Sequence, residues 1–280
     1  MTARKLRSGV FFGFLLLSLG IAFLTLGTLV AEIFQKGVPF VDWVLLTEPP
    51  SADPDRAGAR PAILATLYLG VLLILFTVPI GVGTAIYLEE YANKARWYNR
   101  LLEINIQNLA AVPSIVYGIL GLAFLVRGIG LGRVLLAGAL ILTLLVLPTI
   151  IIAAREAIRA VPDSIRQGAY ALGATQWQVV SRQVLPAAVP GIATGSILSL
   201  SRALGETAPL LLIGALTYVA FNPSLTGSFT ALPVQIYNWT KQPGEDFKLL
   251  AAAAIIVLLL MLLSLNAVAI WLRNRYQKRW

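Results

Sequence analysis

The chain has 280 residues, 58% of them hydrophobic and 12% charged, about half the charged share of an average soluble domain. It contains no cysteine and no histidine, which excludes structural disulfides, the usual Cys/His zinc sites and hydrolysis through a histidine base. The formal charge of +9 reads as basic residues in cytoplasmic loops rather than as a nucleic-acid surface, because so apolar a chain demands a membrane.

Apolar runs of about 20 residues recur and match a hydrocarbon core about 30 Å thick. The expected fold is all-α, a polytopic membrane protein with about six transmembrane helices. The first span covers Gly9–Ala31, preceded by Arg4, Lys5 and Arg7. Its apolar stretch is longer than the roughly 7–15 residues of a signal peptide, so it is expected to be retained. Residues 32–61 form a polar loop, with Pro49, Pro50, Pro54 and Pro61 against regular structure. The second span is Ala62–Leu88, and the third is Ile106–Val126 with Pro113 inside it. The fourth is Val134–Ala154 and the fifth Gly191–Tyr218. Residues 222–248 form a loop with a short helix around Pro233–Trp239, and the sixth span is Leu249–Leu272. Thus 1–61 holds the first helix and its loop, 62–272 the core, and 273–280 a basic tail.

Orientation follows from the basic residues. Arg4, Lys5, Arg7, Lys94, Arg96, Arg100, Arg155, Arg159, Arg166, Arg182, Arg273, Arg275, Lys278 and Arg279 lie on the N-terminal side. Lys36, Arg56, Arg60, Arg127, Arg133, Lys241 and Lys248 lie opposite. The excess places both termini in the cytoplasm.

The cytoplasmic segment 155–190 carries more than a connection needs. Asp163 and Ser164 follow Pro162 and can cap a helix. Ile165, Ala169 and Leu172 then share a face, and Gly173 ends the helix. A second short helix, about Thr175–Val184, presents Trp177, Val180 and Val184, and Leu185-Pro186 leads back to the membrane. On physical grounds such a hairpin either lies on the lipid surface or docks a cytoplasmic partner.

The segment resembles the cytoplasmic loop of type I ABC importer permeases. In that family Glu-Ala-Ala is followed after three residues by Gly, and further on by Leu-Pro. Here Gln167-Gly168-Ala169, Gly173 and Leu185-Pro186 stand at the family spacing. Gln167 replaces Glu, Gly168 replaces Ala, and Gln183 stands where the family has Ile. The resemblance implies that the hairpin docks into the ATP-binding subunit. No G-x-x-x-x-G-K-[ST] loop occurs in this chain. No cofactor is therefore expected here, and ATP and Mg would be bound by the partner.

A second feature is the run Ser201-Arg202-Ala203-Leu204-Gly205-Glu206-Thr207 in the fifth span. Arg202 falls roughly 17 Å into that span, near the bilayer midplane. An intramembrane charge is costly and marks a functional site by default. Arg202 and Glu206 are spaced to share a helix face. They either pair with each other or line a pathway for an ion. The run is similar to the Arg-Ala-x-Gly-Glu-Thr of phosphate ABC-importer permeases. Ala111–Gly118, with Ser114 and Tyr117, is similar too, and Ala208-Pro209-Leu210-Leu211-Leu212 resembles the A-type subunit.

The resemblance implies a pathway with Arg202, Glu206, Thr207, Ser114 and Tyr117, where Glu206 orients Arg202 or takes a proton from the anion. It also implies a second related permease, two ATP-binding subunits, an external phosphate-binding protein and a bacterial inner membrane. The rivals are a permease for sulfate or molybdate, an ion channel, and an intramembrane enzyme. The enzyme would need a serine–lysine pair, and no lysine lies in a predicted span.

Overall fold

The computed structural model describes residues 2–93, 95–215 and 218–276. Lys94 and residues 277–280, with Lys278 and Arg279 of the expected tail, lie outside them. The described residues are helical and in loops, with no strand among them. In chain order the helices are α1 (Thr2–Gly37), α2 (Trp43–Thr47), α3 (Arg60–Ile86), α4 (Trp97–Ala110), α5 (Ser114–Gly121), α6 (Leu135–Arg159), α7 (Asp163–Ala171), α8 (Gln176–Val179), α9 (Leu185–Leu204), α10 (Ala208–Leu212), α11 (Leu232–Lys241) and α12 (Glu245–Tyr276). Five are long and apolar enough to cross a membrane, and a sixth crossing results if the bent pair of 97–128 is one span.

The core is built around α6, packed between α3 and α9. Leu69 and Leu73 of α3 meet Leu135, Ile141, Leu142 and Ile150 of α6, all fully buried. Against α9 the approach is closer. A Cβ at Gly191 would stand 2.7 Å from Ala157 Cβ, and one at Gly195 would stand 2.5 Å from Ala153 Cβ. Small residues four apart on both helices let the backbones meet, which in lipid replaces the missing hydrophobic drive between helices. By contrast, the apolar side chains along α1 are exposed from Val10 to Leu29. The helix joins the rest near its end, where Gly37 abuts the backbone of Ala252 in α12.

The third predicted span is not one helix. α4 stops at Ala110, α5 starts at Ser114, and the two are bent by 103°. Pro113 causes this, because its ring excludes the helical conformation from the residue before it and removes a donor. The fifth span is corrected at both ends. Gln176–Leu204 is one continuous apolar helix, so the expected second hairpin helix is the beginning of the membrane helix. A π-helical turn, Val180–Val184, directly precedes Leu185-Pro186. The helix continues through this turn, where Leu185 N–H reaches the Val180 carbonyl, into α9 with Pro186 in its first turn. At the other end α9 stops at Leu204 and does not reach Tyr218. Pro209 has no N–H for the Gly205 carbonyl, and its ring would clash there. The chain restarts as the short α10 at Ala208.

The hairpin helix α7 forms as expected, with two corrections. Asp163 is already in the first turn and makes no cap hydrogen bond. Leu172 does not share the buried face of Ile165 and Ala169, since it is 91% exposed. Trp177 likewise points outward, whereas Val179, Val180 and Val184 are buried. Gly173 ends the helix with φ of +78°. Its N–H donates to the Tyr170 carbonyl at 2.9 Å, and Ala174 N–H donates to the Ala169 carbonyl at 3.1 Å. This is a Schellman closure, and its glycine supplies the left-handed turn.

Candidate functional site

The two helix breaks meet. A Cβ at Gly118 would stand 2.8 Å from Pro209 Cα, so α5 lies directly on the start of α10. This contact brings Ser114, at the start of α5, beside the end of α9. A cleft of about 30 Å³ results, lined by Ser114, Thr149, Ser199, Arg202 and Glu206 with Val112 and other apolar neighbours. The cleft is small, with room for water-sized groups.

Arg202 Nε lies 3.8 Å from Glu206 Oε1, too long for a hydrogen bond. The Arg202 side chain is 76% exposed and that of Glu206 18%. The pair is not on one helix face, because α9 ends between the two residues. Gly205 N–H donates to the Arg202 carbonyl at 3.1 Å, and Glu206 N–H to that of Ala203 at 3.1 Å. The last turn is thereby tightened, and Glu206 is carried back toward Arg202. The guanidinium thus stands largely exposed at the cleft, without a hydrogen bond to Glu206.

Of the five pathway residues expected from sequence, Ser114, Arg202 and Glu206 come together. Thr207 caps the start of α10 through its carbonyl, which accepts from Leu211 N–H at 3.0 Å, and it is not part of the lining. Tyr117 is buried away from the cleft, and its hydroxyl donates to the Leu109 carbonyl at 2.9 Å. Leu109 is in the last turn of α4, where carbonyls lack helical partners. Tyr117 therefore holds the 103° bend. Two further polar residues line the cleft, Ser199, which the sequence places near Arg202, and Thr149. Ser199 is one turn before Arg202 on α9, as helical spacing indicates. Thr149 is on α6 and carries no such signal. Ser201 turns to the opposite side, with Oγ 2.5 Å from Asn266 Oδ1.

At the hairpin, Gln167, Gly168 and Gly173 are exposed and Ala169 is half-buried. Ala169, Leu172, Gly173, Gln178, Arg182 and Gln183 border a hollow of about 250 Å³. Leu185 and Pro186 lie in the helix behind it, half-buried. Behind the hairpin is a charge cluster that the sequence reading missed. Arg155, 7% exposed, donates to Glu89 Oε1 through Nε at 3.0 Å and to Glu103 Oε1 through Nη2 at 2.8 Å. Arg159 Nη2 adds a 2.6 Å bond to the same Glu89 oxygen. These groups lie 52 to 70 residues apart, and no local spacing predicts their meeting.

A multi-span helical bundle with a polar half-cleft at two proline breaks and an exposed hairpin has the build of a membrane permease. Residues 77–280 match the family described as binding-protein-dependent transport system inner membrane component, and the chain belongs to that family. It is 31% identical over 266 residues to the probable ABC transporter permease protein YqgI of Bacillus subtilis, covering 90% of both chains. It is 31% identical over 245 residues to the phosphate transport system permease protein PstA of Xylella fastidiosa, covering 87% of this chain and 85% of that one. A match to YqgH of Bacillus subtilis is 37% identical but spans 56% of this chain and 52% of the relative. Among solved structures, a chain of a bacterial alginate ABC transporter, in complex with its pentasaccharide-bound periplasmic protein, superposes with a TM-score of 0.69. It covers 97% of this chain and 96% of the other at 20% identity, and shares the fold.

Proposed function

We propose that this chain is the A-type permease of a bacterial phosphate importer, embedded in the inner membrane with both termini in the cytoplasm. The observation that carries this reading is Arg202. Its guanidinium stands open at a helix break beside Ser114 and Ser199, in the cleft that also holds Glu206. A planar fork of N–H donors holds two oxygens of a tetrahedral oxyanion at once. The neighbouring hydroxyls replace water around the others, and Glu206 orients the guanidinium. Support also comes from relatives named as phosphate permeases.

In this reading a second, related permease closes the other half of the pathway. An external phosphate-binding protein delivers the anion. Two ATP-binding subunits, which hold ATP and Mg, engage the hairpin at Gln167, Gly168, Ala169 and Gly173. Closure of the ATPases moves the hairpin, and the helices rock about the cleft. The test is uptake by the complete complex in proteoliposomes. Labelled phosphate should accumulate with ATP inside, and excess sulfate or molybdate should not compete. Accumulation of sulfate in preference to phosphate would assign the chain to another oxyanion.

A further inference from the structure

α3 runs into a π-helical turn, Tyr87–Tyr91, that contains Glu89 and Glu90. These adjacent carboxylates are almost completely buried, their side chains 4% and 8% exposed. They face different elements. Glu89 is held by Arg155 and Arg159 of α6. Glu90 Oε1 accepts from Arg166 of the hairpin helix α7, through Nη2 at 2.9 Å and Nε at 3.2 Å. The same guanidinium donates to the Ile158 carbonyl at 2.9 Å and the Val161 carbonyl at 2.5 Å. It thus ties the hairpin to the last turn of α6 as well. Gln176, at the start of α8, donates from Nε2 to the Glu90 backbone carbonyl at 2.5 Å. Both ends of the hairpin are therefore fastened to one residue at the end of α3.

From there the linkage continues inward. Arg155 bridges Glu89 to Glu103 in α4, and α4 leads through the Pro113 bend to Ser114 in the cleft. An apolar cluster would hold these helices at lower desolvation cost. A multidentate guanidinium adds directional resistance to sliding. The π turn puts the rigid clasp next to a backbone element that accepts distortion, since such turns interrupt the regular ladder.

We propose that Glu90 and Arg166 form a coupling clasp that transmits movement of the hairpin to α3. Arg155 then relays it from Glu89 to Glu103 and the bent helix that lines the cleft. Both are positioning residues, since neither lines the cleft nor binds ATP. The proposal rests on the reading that the hairpin docks on an ATPase.

The readout is the coupling ratio, anions imported per ATP hydrolysed, measured on the purified complete complex in proteoliposomes. The probe is labelled phosphate, or sulfate where the wild-type complex moves that instead. The chain has no native cysteine, so Glu90→Cys with Arg166→Cys introduces a pair unique within it, and a complex with the wild-type chain treated with the same reagent controls for thiols of other subunits. In the reduced form the ratio should fall about tenfold, within the range of a coupling free energy between sites. Bridging the pair with a short bis-thiosulfonate reagent should bring it back to within about twofold of wild type, and dithiothreitol should abolish that recovery. A residue that only supports folding would lower the yield of complex and leave the ratio alone. Where the double variant fails to assemble, Arg166→Lys keeps the charge, loses the fork, and should lower the ratio about fivefold. A wild-type ratio in the reduced pair or in Arg166→Lys overturns the proposal. So does a ratio that stays low after bridging, or an Arg166→Lys complex that sheds its ATPase subunit. A wild-type complex that retains no ATPase would instead retire the docking reading.

Discussion

Replacing Arg202 and Glu206 together by methionine separates a pathway from a merely structural ion pair. The Nε–Oε1 distance is 3.8 Å and the arginine side chain is 76% exposed. A pair so long and open stabilises by at most about 1 kcal/mol. Removing Arg202 alone would leave Glu206, 18% exposed, without its cation. The double change avoids that penalty, because no lone charge remains. The double variant should therefore reach the membrane, assemble, and unfold within about 1 kcal/mol of wild type. Transport should behave differently. Charge-assisted hydrogen bonds from a guanidinium to an oxyanion contribute about 1.5–3 kcal/mol, and their loss corresponds to a fall in uptake of about 10- to 150-fold. Arg202→Lys keeps the charge without the bidentate fork and should fall by about tenfold. The assay is initial-rate uptake of labelled phosphate in proteoliposomes, normalised to assembled complex, with thermal unfolding in parallel. Wild-type uptake by the double methionine variant would refute the reasoning and move the anion path elsewhere.

Gly173 adopts φ of +78° with no atom within 4 Å of a built Cβ, so Gly173→Leu should cost about 1–2 kcal/mol of local backbone strain without a clash. That variant should insert normally yet import poorly while ATP hydrolysis continues, and normal import would count against docking at the hairpin. Tyr117→Phe removes the hydrogen bond to the Leu109 carbonyl. It should cost about 1 kcal/mol of stability, seen as earlier thermal unfolding, with selectivity between phosphate and sulfate unchanged. A tag at the C-terminus should be shielded in right-side-out vesicles and accessible in inverted ones. Labelling from outside would reverse the orientation.

Much of the architecture was written in local pattern. The apolar runs became helical, two of them with a break, because lipid leaves a spanning segment no other way to pair its backbone. Gly173 was readable because only a glycine accommodates the left-handed turn cheaply. Arg202 was readable because a charge inside an apolar run is costly enough to need a reason. Prolines were the ambiguous signal. Pro79, Pro148 and Pro190 lie inside continuous helices, while Pro113 and Pro209 coincide with breaks. Sequence alone does not distinguish them, since the outcome depends on what can satisfy the freed carbonyl. At Pro113 the break is held by Tyr117, eight residues from its partner Leu109.

By itself the local pattern of the sequence determined a polytopic helical membrane protein, its apolar segments, the hairpin and the charge at position 202, because each depends on chemistry within one or two helical turns. Only the tertiary structure decided that Ser114, Thr149 and Arg202 share a cleft, that Tyr117 supports a bend, that Arg155 joins Glu89 to Glu103, and that Arg166 ties the hairpin to Glu90. Those groupings depend on how closely helices approach. That is set by small side chains such as Gly118, Gly191 and Gly195 meeting their neighbours across distances that no periodicity along the chain encodes.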